Sequence, residues 1–282
     1  LVYCSVTGFG QTGPYRERAG YDYAVQGIGG LMSVTGERDD LGGGPQKVGV
    51  AVADLFTGMY AAQAVLAALF ARQSTGQGRN IEMALFDCGL MLTAYCGLEA
   101  LLMQKDPPRY GNSHPSIVPY GVFDAADGPL VITVGNNAQF ARFCNEVIER
   151  PDLANDERFK TNLGRGQHRD VLMVEILREL KTRTREVLLK RLAAAGIPCG
   201  EVLGLYEALT SQRAVQSGLV TQQPHPVAGH THVLAPPYRM DGQRMPIRHT
   251  PPVLGEATDD VLKNLLGLSA DQVSALHQQG VI

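Results

Sequence analysis

Val48–Ala71 reads VGVAVADLFTGMYAAQAVLAALFA, and Asp54 is its one charged side chain, alone between Lys47 and Arg72. The run is rich in Ala and Leu, which favour helix, and it reads as a helix over Val50–Arg72 buried on nearly all sides and ending at STGQG. A carboxylate taken unpaired into an interior costs several kcal/mol, so it is normally paired, hydrogen-bonded or used chemically. Asp54 is therefore the first candidate for a catalytic group. About 20 apolar residues suffice to cross a bilayer. The acidic residue, Gln63 and the many small residues favour a core helix instead.

Working outward, Leu1–Val6 is strand-like and leads into the glycine- and proline-punctuated loop GFGQTGPYRERAG. A helix is expected over Tyr21–Met32, closed or interrupted by Gly29 and Gly30. Arg79–Leu85 reads as a short strand, and Phe86–Met103 as a second long apolar helix stopped by Lys105, Asp106, Pro107 and Pro108. The composition then changes. Tyr120–Asp124 and Leu130–Val134 predict a hairpin turning at Asp127-Gly128, followed by helices over Ala138–Arg150, His168–Lys181 and Arg185–Ala195. The tail alternates short strands with turns before a helix near Asp259–Leu266. A last helix opens on the capping box Ser269-Ala270-Asp271-Gln272 and stops at Gly280. The pattern is mixed α/β.

With 282 residues, 44% of them hydrophobic, the chain has enough apolar surface for one large domain or two smaller ones. A net charge of −3 with interspersed signs argues against nucleic-acid and membrane-surface partners and leaves small-molecule chemistry. Five cysteines with no C-x-x-C pair, and seven scattered histidines, offer no zinc spacing and fit a reduced, cytoplasmic setting. The opening LVYCSVTGFG reads as the interior of a strand and its loop, so an upstream segment is expected.

Six stretches in order carry a resemblance: VTGFGQTGPYRERAGYDYAVQGIGGLMSVTG from Val6, VGVAVADLFTGMYAAQAVLAAL from Val48, TGQGRNIEMALFD from Thr75, GNSHPSIVPYGVF from Gly111, GIPCGEV from Gly196 and PPVLGEATDDVLKNLLG from Pro251. Together they resemble the family III CoA-transferases, the CaiB/BaiF family, over essentially the whole chain. The resemblance implies an open Rossmann-like large domain, a smaller α+β domain and an interlocked homodimer. It places the large domain in residues 1–110 and 190–282 and the small one, with linkers, in 111–189. No cofactor is held permanently, and a CoA thioester is a substrate.

In that family a carboxylate matching Asp54 attacks the acyl-CoA thioester, so Asp54 is expected to carry first an acyl anhydride and then a CoA thioester. Its place in the first turn or two of the helix suits negative charge, and Ala53, Gly58 and Ala61 would let a thioester come close. Arg16 and Arg18 are expected near the pantetheine and phosphates of CoA. Where some members carry a run of consecutive glycines, this chain has Gly111-Asn112-Ser113-His114-Pro115, with Gly135-Asn136-Asn137 after the hairpin. Gly111, Asn112, His114 and Asn137 are thus candidates for oxyanion and substrate contacts. This variation resembles the branch that handles succinyl-CoA and dicarboxylic acids. The bland reading of the segment is a turn at a domain boundary.

Two other readings stand beside this one. The family also contains α-methylacyl-CoA racemases, whose G-H-D stretch matches Gly20-Tyr21-Asp22 here; tyrosine, with an ordinary pKa near 10, is a poor acid/base partner at neutral pH. The chain as it stands is alternatively an inactive fragment or interaction module.

Overall fold

The structure, a computed structural model, describes all 282 residues. They divide into two compact units, Leu1–Glu201 and Val202–Ile282. The boundaries expected at 110/111 and 189/190 both fall inside the first unit.

The first unit opens on β1 (Val2–Thr7) and α1 (Asp22–Ile28). Gly29 ends α1, and Gly30, at φ +82°, turns the chain into the short helix Leu31–Val34, so the glycines interrupt the expected Tyr21–Met32 helix. The long helix α2 (Val52–Thr75) then leads to β2 (Arg79–Ala84), which pairs in parallel with β1, Val2 opposite Arg79 and Thr7 opposite Ala84. Parallel strands need such a crossover, and the Ala/Leu run supplies it. Gly76, at φ +65°, stops α2 with its N–H donating to the Arg72 carbonyl at 2.9 Å.

α2 corrects the expectation of a helix buried on nearly all sides. It rests on β1, β2, α1 and the following helix, and only Ala53, Thr57 and Ala68 along it are buried. Leu55, Met59, Leu66 and Phe70 are 62–77% exposed. A two-stranded sheet covers one side of a helix, and covering the rest takes a second layer.

The expected second long helix is two, α3 (Leu85–Leu92) and α4 (Ala94–Met103), meeting at 80°. The corner sits at Ala94, a non-glycine residue at φ +45°. Leu101 and Leu102 on α4 are 77% and 83% exposed.

The rest of the unit has its own core. Strands β3 (Tyr120–Ala125) and β4 (Gly128–Thr133) form the expected hairpin. After it come α5 (Asn137–Arg142), which widens into a π turn at Phe143–Val147, then α6 (Asn162–Gln167), α7 (Arg169–Leu180) and α8 (Arg185–Ala194). β5 (Cys199–Glu201) pairs antiparallel with β4, completing a three-stranded sheet in the order β3-β4-β5. Leu130, Ile132, Phe140, Phe143, Leu172, Ile176, Leu188 and Leu192 are fully buried between sheet and helices. At roughly 1.5–3 kcal/mol for each large side chain fully buried, this cluster is the chief apolar stabilisation of the unit.

The second unit carries α9 (Leu205–Thr210) and α10 (Gln212–Ser217), then the hairpin β6 (Val220–His225) and β7 (Gly229–Leu234). α11 (Ala270–Gln278) starts with the predicted capping box, in which the Ser269 hydroxyl accepts the Gln272 N–H at 3.2 Å and the Gln272 side chain accepts the Ser269 N–H at 2.8 Å.

Candidate active site

Asp54 is the third residue of α2, within its first turn, and is exposed. Its carboxylate makes no hydrogen bond or ion pair within the chain, so it is not the buried group expected from its apolar surroundings. Four residues along, Gly58 is also exposed, and a Cβ built on it would meet nothing within 4 Å. The protein's own packing therefore does not require glycine there, and the space beside Asp54 is open. Ala53 corrects another expectation: it is fully buried, facing the core and not any approaching ligand.

The start of α2 is fixed from α1. No side chain of α2's own flank caps it, since Ala51 stands at the cap position. Asp22 fills that role from a distance, its Oδ1 accepting the Ala53 N–H at 2.8 Å and its Oδ2 accepting Gln26 Nε2–H at 2.7 Å. Gln26, 1% exposed, accepts the Val48 N–H at 2.8 Å through Oε1. Asp22, the aspartate of the Gly20-Tyr21-Asp22 stretch, is thus engaged with backbone, and neighbouring Tyr21 is 76% exposed.

Arg16 and Arg18 lie on the loop between β1 and α1. The Arg16 guanidinium donates to Glu17 at 3.0 Å, and Arg18 lies 4.3 Å over the Tyr15 ring. Both side chains are on an exposed stretch, 11–19. At its base the chain crosses itself so closely that a Cβ on Gly8 would sit 2.7 Å from the Gly20 Cα. Glycine at these two positions is a packing requirement.

The second group of candidates forms a separate cluster at the mouth of β3. Gly111 is left-handed at φ +57°. Asn112 is exposed, and its carbonyl accepts the Val122 N–H at 3.1 Å. His114 Nδ1 accepts two backbone N–H groups, from Ser116 and Ile117, each at 3.1 Å. Both need the Nδ1 lone pair, which leaves the ring proton on Nε2. Burial, and then the Arg169 guanidinium nearby, pull the His114 pKa below its ordinary 6.5, so the ring is a neutral donor at pH 7.

A strip of side chains on α6 and α7 holds this loop. Asn162 Nδ2–H donates to the Ser116 carbonyl at 2.6 Å, Arg165 Nε–H to the Val118 carbonyl at 2.7 Å, and Arg169 Nη2–H to the His114 carbonyl at 2.8 Å. Arg165 is completely buried with no carboxylate beside it. It also donates to the Phe159 carbonyl at 2.9 Å and to Asn137 Oδ1 at 3.1 Å, and stacks 4.3 Å over Phe140. His114 and Asn137 are thus brought into one network through Arg165 and Arg169. No hydrogen bond or ion pair joins that network to Asp54 or to Arg16 and Arg18.

Sequence reading missed Asp22, Gln26, Asn162, Arg165 and Arg169. The four-residue spacing of Asp22 and Gln26 marks one helix face, but their backbone partners, Ala53 and Val48, lie 31 and 22 positions away respectively. Nothing in the sequence separates Arg165 from a surface arginine. A cavity of about 1010 Å³, mostly apolar, lies under the α3–α4 corner, lined by Ser33, Leu90, Met91, Cys96, Leu101 and Lys105 among others, and Asp54 is not in its wall.

The profile of CoA-transferase family III matches residues 1–258. The chain belongs to this family. A succinate–glutarate CoA-transferase of Agrobacterium fabrum is 43% identical over 220 residues, covering 78% of this chain and 54% of that protein. The human succinyl-CoA:glutarate CoA-transferase is 34% identical over 286 residues, covering all of this chain and 64% of its own length. The chain thus spans between about half and two thirds of the length of these curated relatives. A CaiB/BaiF family protein from Brucella suis superposes with a TM-score of 0.78 at 38% identity, over 94% of this chain and 68% of that one. The fold is the α/β fold of CaiB/BaiF proteins, as the sequence resemblance implies.

Proposed function

We propose that the protein is a CoA-transferase that moves CoA from succinyl-CoA or a similar thioester to a small carboxylic acid, with Asp54 as the nucleophile. The single observation that carries the reading is a carboxylate in the first turn of a long apolar helix, bonded to nothing within the chain and facing open space beside Gly58. A side chain so placed is free to act on a ligand.

In this scheme an Asp54 oxygen attacks the thioester carbonyl and CoA thiolate leaves, giving a mixed anhydride. The thiolate then attacks the Asp54 carbonyl, releasing the donor's acid and leaving Asp54 as a CoA thioester. The acceptor carboxylate attacks that thioester and expels the thiolate, which returns to the acceptor's acyl carbon to form the new acyl-CoA. Asp54 is regenerated as a carboxylate. The neutral His114 Nε2–H and the Asn137 carboxamide, whose NH2 makes no hydrogen bond in the chain, are donors suited to an acceptor's distal carboxylate. Asn112 and Gly111 would add oxyanion contacts, and Arg16 and Arg18 would meet the phosphates of CoA. The relatives' names, with succinyl-CoA and dicarboxylic acids in them, support that substrate class.

The same reading takes the assembly to be an interlocked homodimer in the cytoplasm. The uncovered apolar faces of α2 and α4 support it, because monomeric proteins rarely leave such faces in water.

The test offers succinyl-CoA and a panel of carboxylic acids to the full-length protein and reads the CoA products by mass. Transfer to glutarate or a related dicarboxylic acid, lost in Asp54→Asn, is the expected result. α-Deuteration of a 2-methylacyl-CoA in heavy water without an acceptor acid would replace this reading with the racemase.

A further inference from the structure

We infer that Asp22 and Gln26 are positioning residues for Asp54, a two-residue latch on α1 that sets where the start of α2 lies. The inference rests on the reading of Asp54 as nucleophile.

Residues 48–53, which lead directly into Asp54, are held by four hydrogen bonds from this pair or between its members. Asp22 Oδ1 accepts the Ala53 N–H at 2.8 Å, and Gln26 Oε1 accepts the Val48 N–H at 2.8 Å. Gln26 Nε2–H donates to Asp22 Oδ2 at 2.7 Å and, more weakly, to the Val50 carbonyl at 3.4 Å. Every polar atom of the buried Gln26 side chain is used. Asp22 and Gln26 are one turn apart on α1, and α1 itself packs on both α2 and α3.

Without this pair the first turn of α2 lacks a side-chain cap, because Ala51 has no oxygen to offer. The Ala53 N–H precedes Asp54 by one residue, so the bond that fixes it also fixes the nucleophile's backbone. A displacement of about 1 Å in a reacting group is enough to cost roughly a hundredfold in rate. The pair touches no reacting atom and acts only through Asp54.

The donor and acceptor pattern supplies a test. Asp22→Asn keeps an oxygen for Ala53 but turns an NH2 toward the Gln26 NH2. Gln26→Glu sets a carboxylate against that of Asp22. In the double variant the amide at position 22 donates to the carboxylate at position 26, which still accepts the Val48 N–H, and only the 3.4 Å bond to Val50 is lost. Side-chain volume and net charge are unchanged, although the charge moves to the more buried position, so the recovery is partial.

Measured in the full-length protein, each single variant should lower kcat roughly a hundredfold with little change in KM for the acyl-CoA. The double variant should return kcat to within roughly tenfold of wild type, and amide exchange over residues 48–56 should rise in the singles and fall again in the double. Full kcat in both singles, or a double variant no better than the worse single, overturns the latch. If a single does not fold, the double alone decides, by the same tenfold limit. Asp54→Asn is run beside them: full turnover there removes Asp54 as nucleophile, while no turnover there with full kcat in the singles removes only the latch.

Discussion

Replacing Arg165 by Met keeps most of the side chain's length and apolar stem but removes the guanidinium. Two backbone carbonyls, Val118 and Phe159, have Arg165 as their donor, at 2.7 and 2.9 Å. Leaving a buried acceptor unpaired costs about 1–3 kcal/mol, so the two together give about 2–6. The stacking of the cation on Phe140 adds about 1–2 kcal/mol where it is desolvated. Against these stands the burial cost of the guanidinium itself, several kcal/mol and no longer incurred in the variant. Burial is also what draws the Arg165 pKa below its ordinary value. The balance is a loss of about 3 kcal/mol, a large share of the 5–15 kcal/mol by which domains are stable. Urea unfolding monitored by circular dichroism gives the difference, and hydrogen exchange at residues 114–118 should quicken in the same variant, because the loop loses its central clamp. A loss below about 1 kcal/mol with unchanged exchange would refute the assignment of Arg165 as the strut of that loop.

His114 should titrate below 6.5 in an NMR experiment, because burial and Arg169 oppose its cationic form. The unfolded chain takes up that proton first, so the contribution to stability is complete above pH 6.5 and shrinks as pH falls below it; a titration above 6.5 would contradict the geometry at Nδ1. Gly58→Ala should stabilise the protein by about 0.5–1 kcal/mol in thermal unfolding, since alanine suits a helix interior and nothing there obstructs a methyl. It should also weaken acyl-CoA turnover, and unchanged kinetics would show that no ligand passes that face. Gly8→Ala should destabilise, by about 1–3 kcal/mol, because its methyl would press on the Gly20 backbone. Cys144, whose thiol burial pushes up to about 12, should resist a thiol reagent at pH 8 until the chain unfolds, and rapid labelling of the native protein would contradict its buried position.

How far the sequence could be read depended on whether the deciding contacts were local. α2 was expected over Val50–Arg72 and runs Val52–Thr75, since its apolar run and the glycine after it are local signals. The hairpin turning at Asp127-Gly128 was legible for the same reason. The α3–α4 corner was not, because Phe86–Met103 contains no proline and the bend falls on an alanine. β5 pairs with a strand more than 60 residues earlier, which no local pattern announces. At the candidate site Asp54 stood out by charge contrast alone, but its exposure did not, since composition cannot say which side of a helix has a neighbour. The latch from α1 and the Arg165 strut depend on contacts between distant segments, and their residues look ordinary in the sequence.

The central claim, that Asp54 carries the acyl group and then CoA, is tested most directly by trapping. The full-length protein is incubated with succinyl-CoA, quenched with hydroxylamine, digested and mapped by mass spectrometry. A hydroxamate on Asp54 that appears only with the thioester is the predicted result. An unmodified Asp54 in protein that is turning over, or a hydroxamate on another carboxylate, would contradict it.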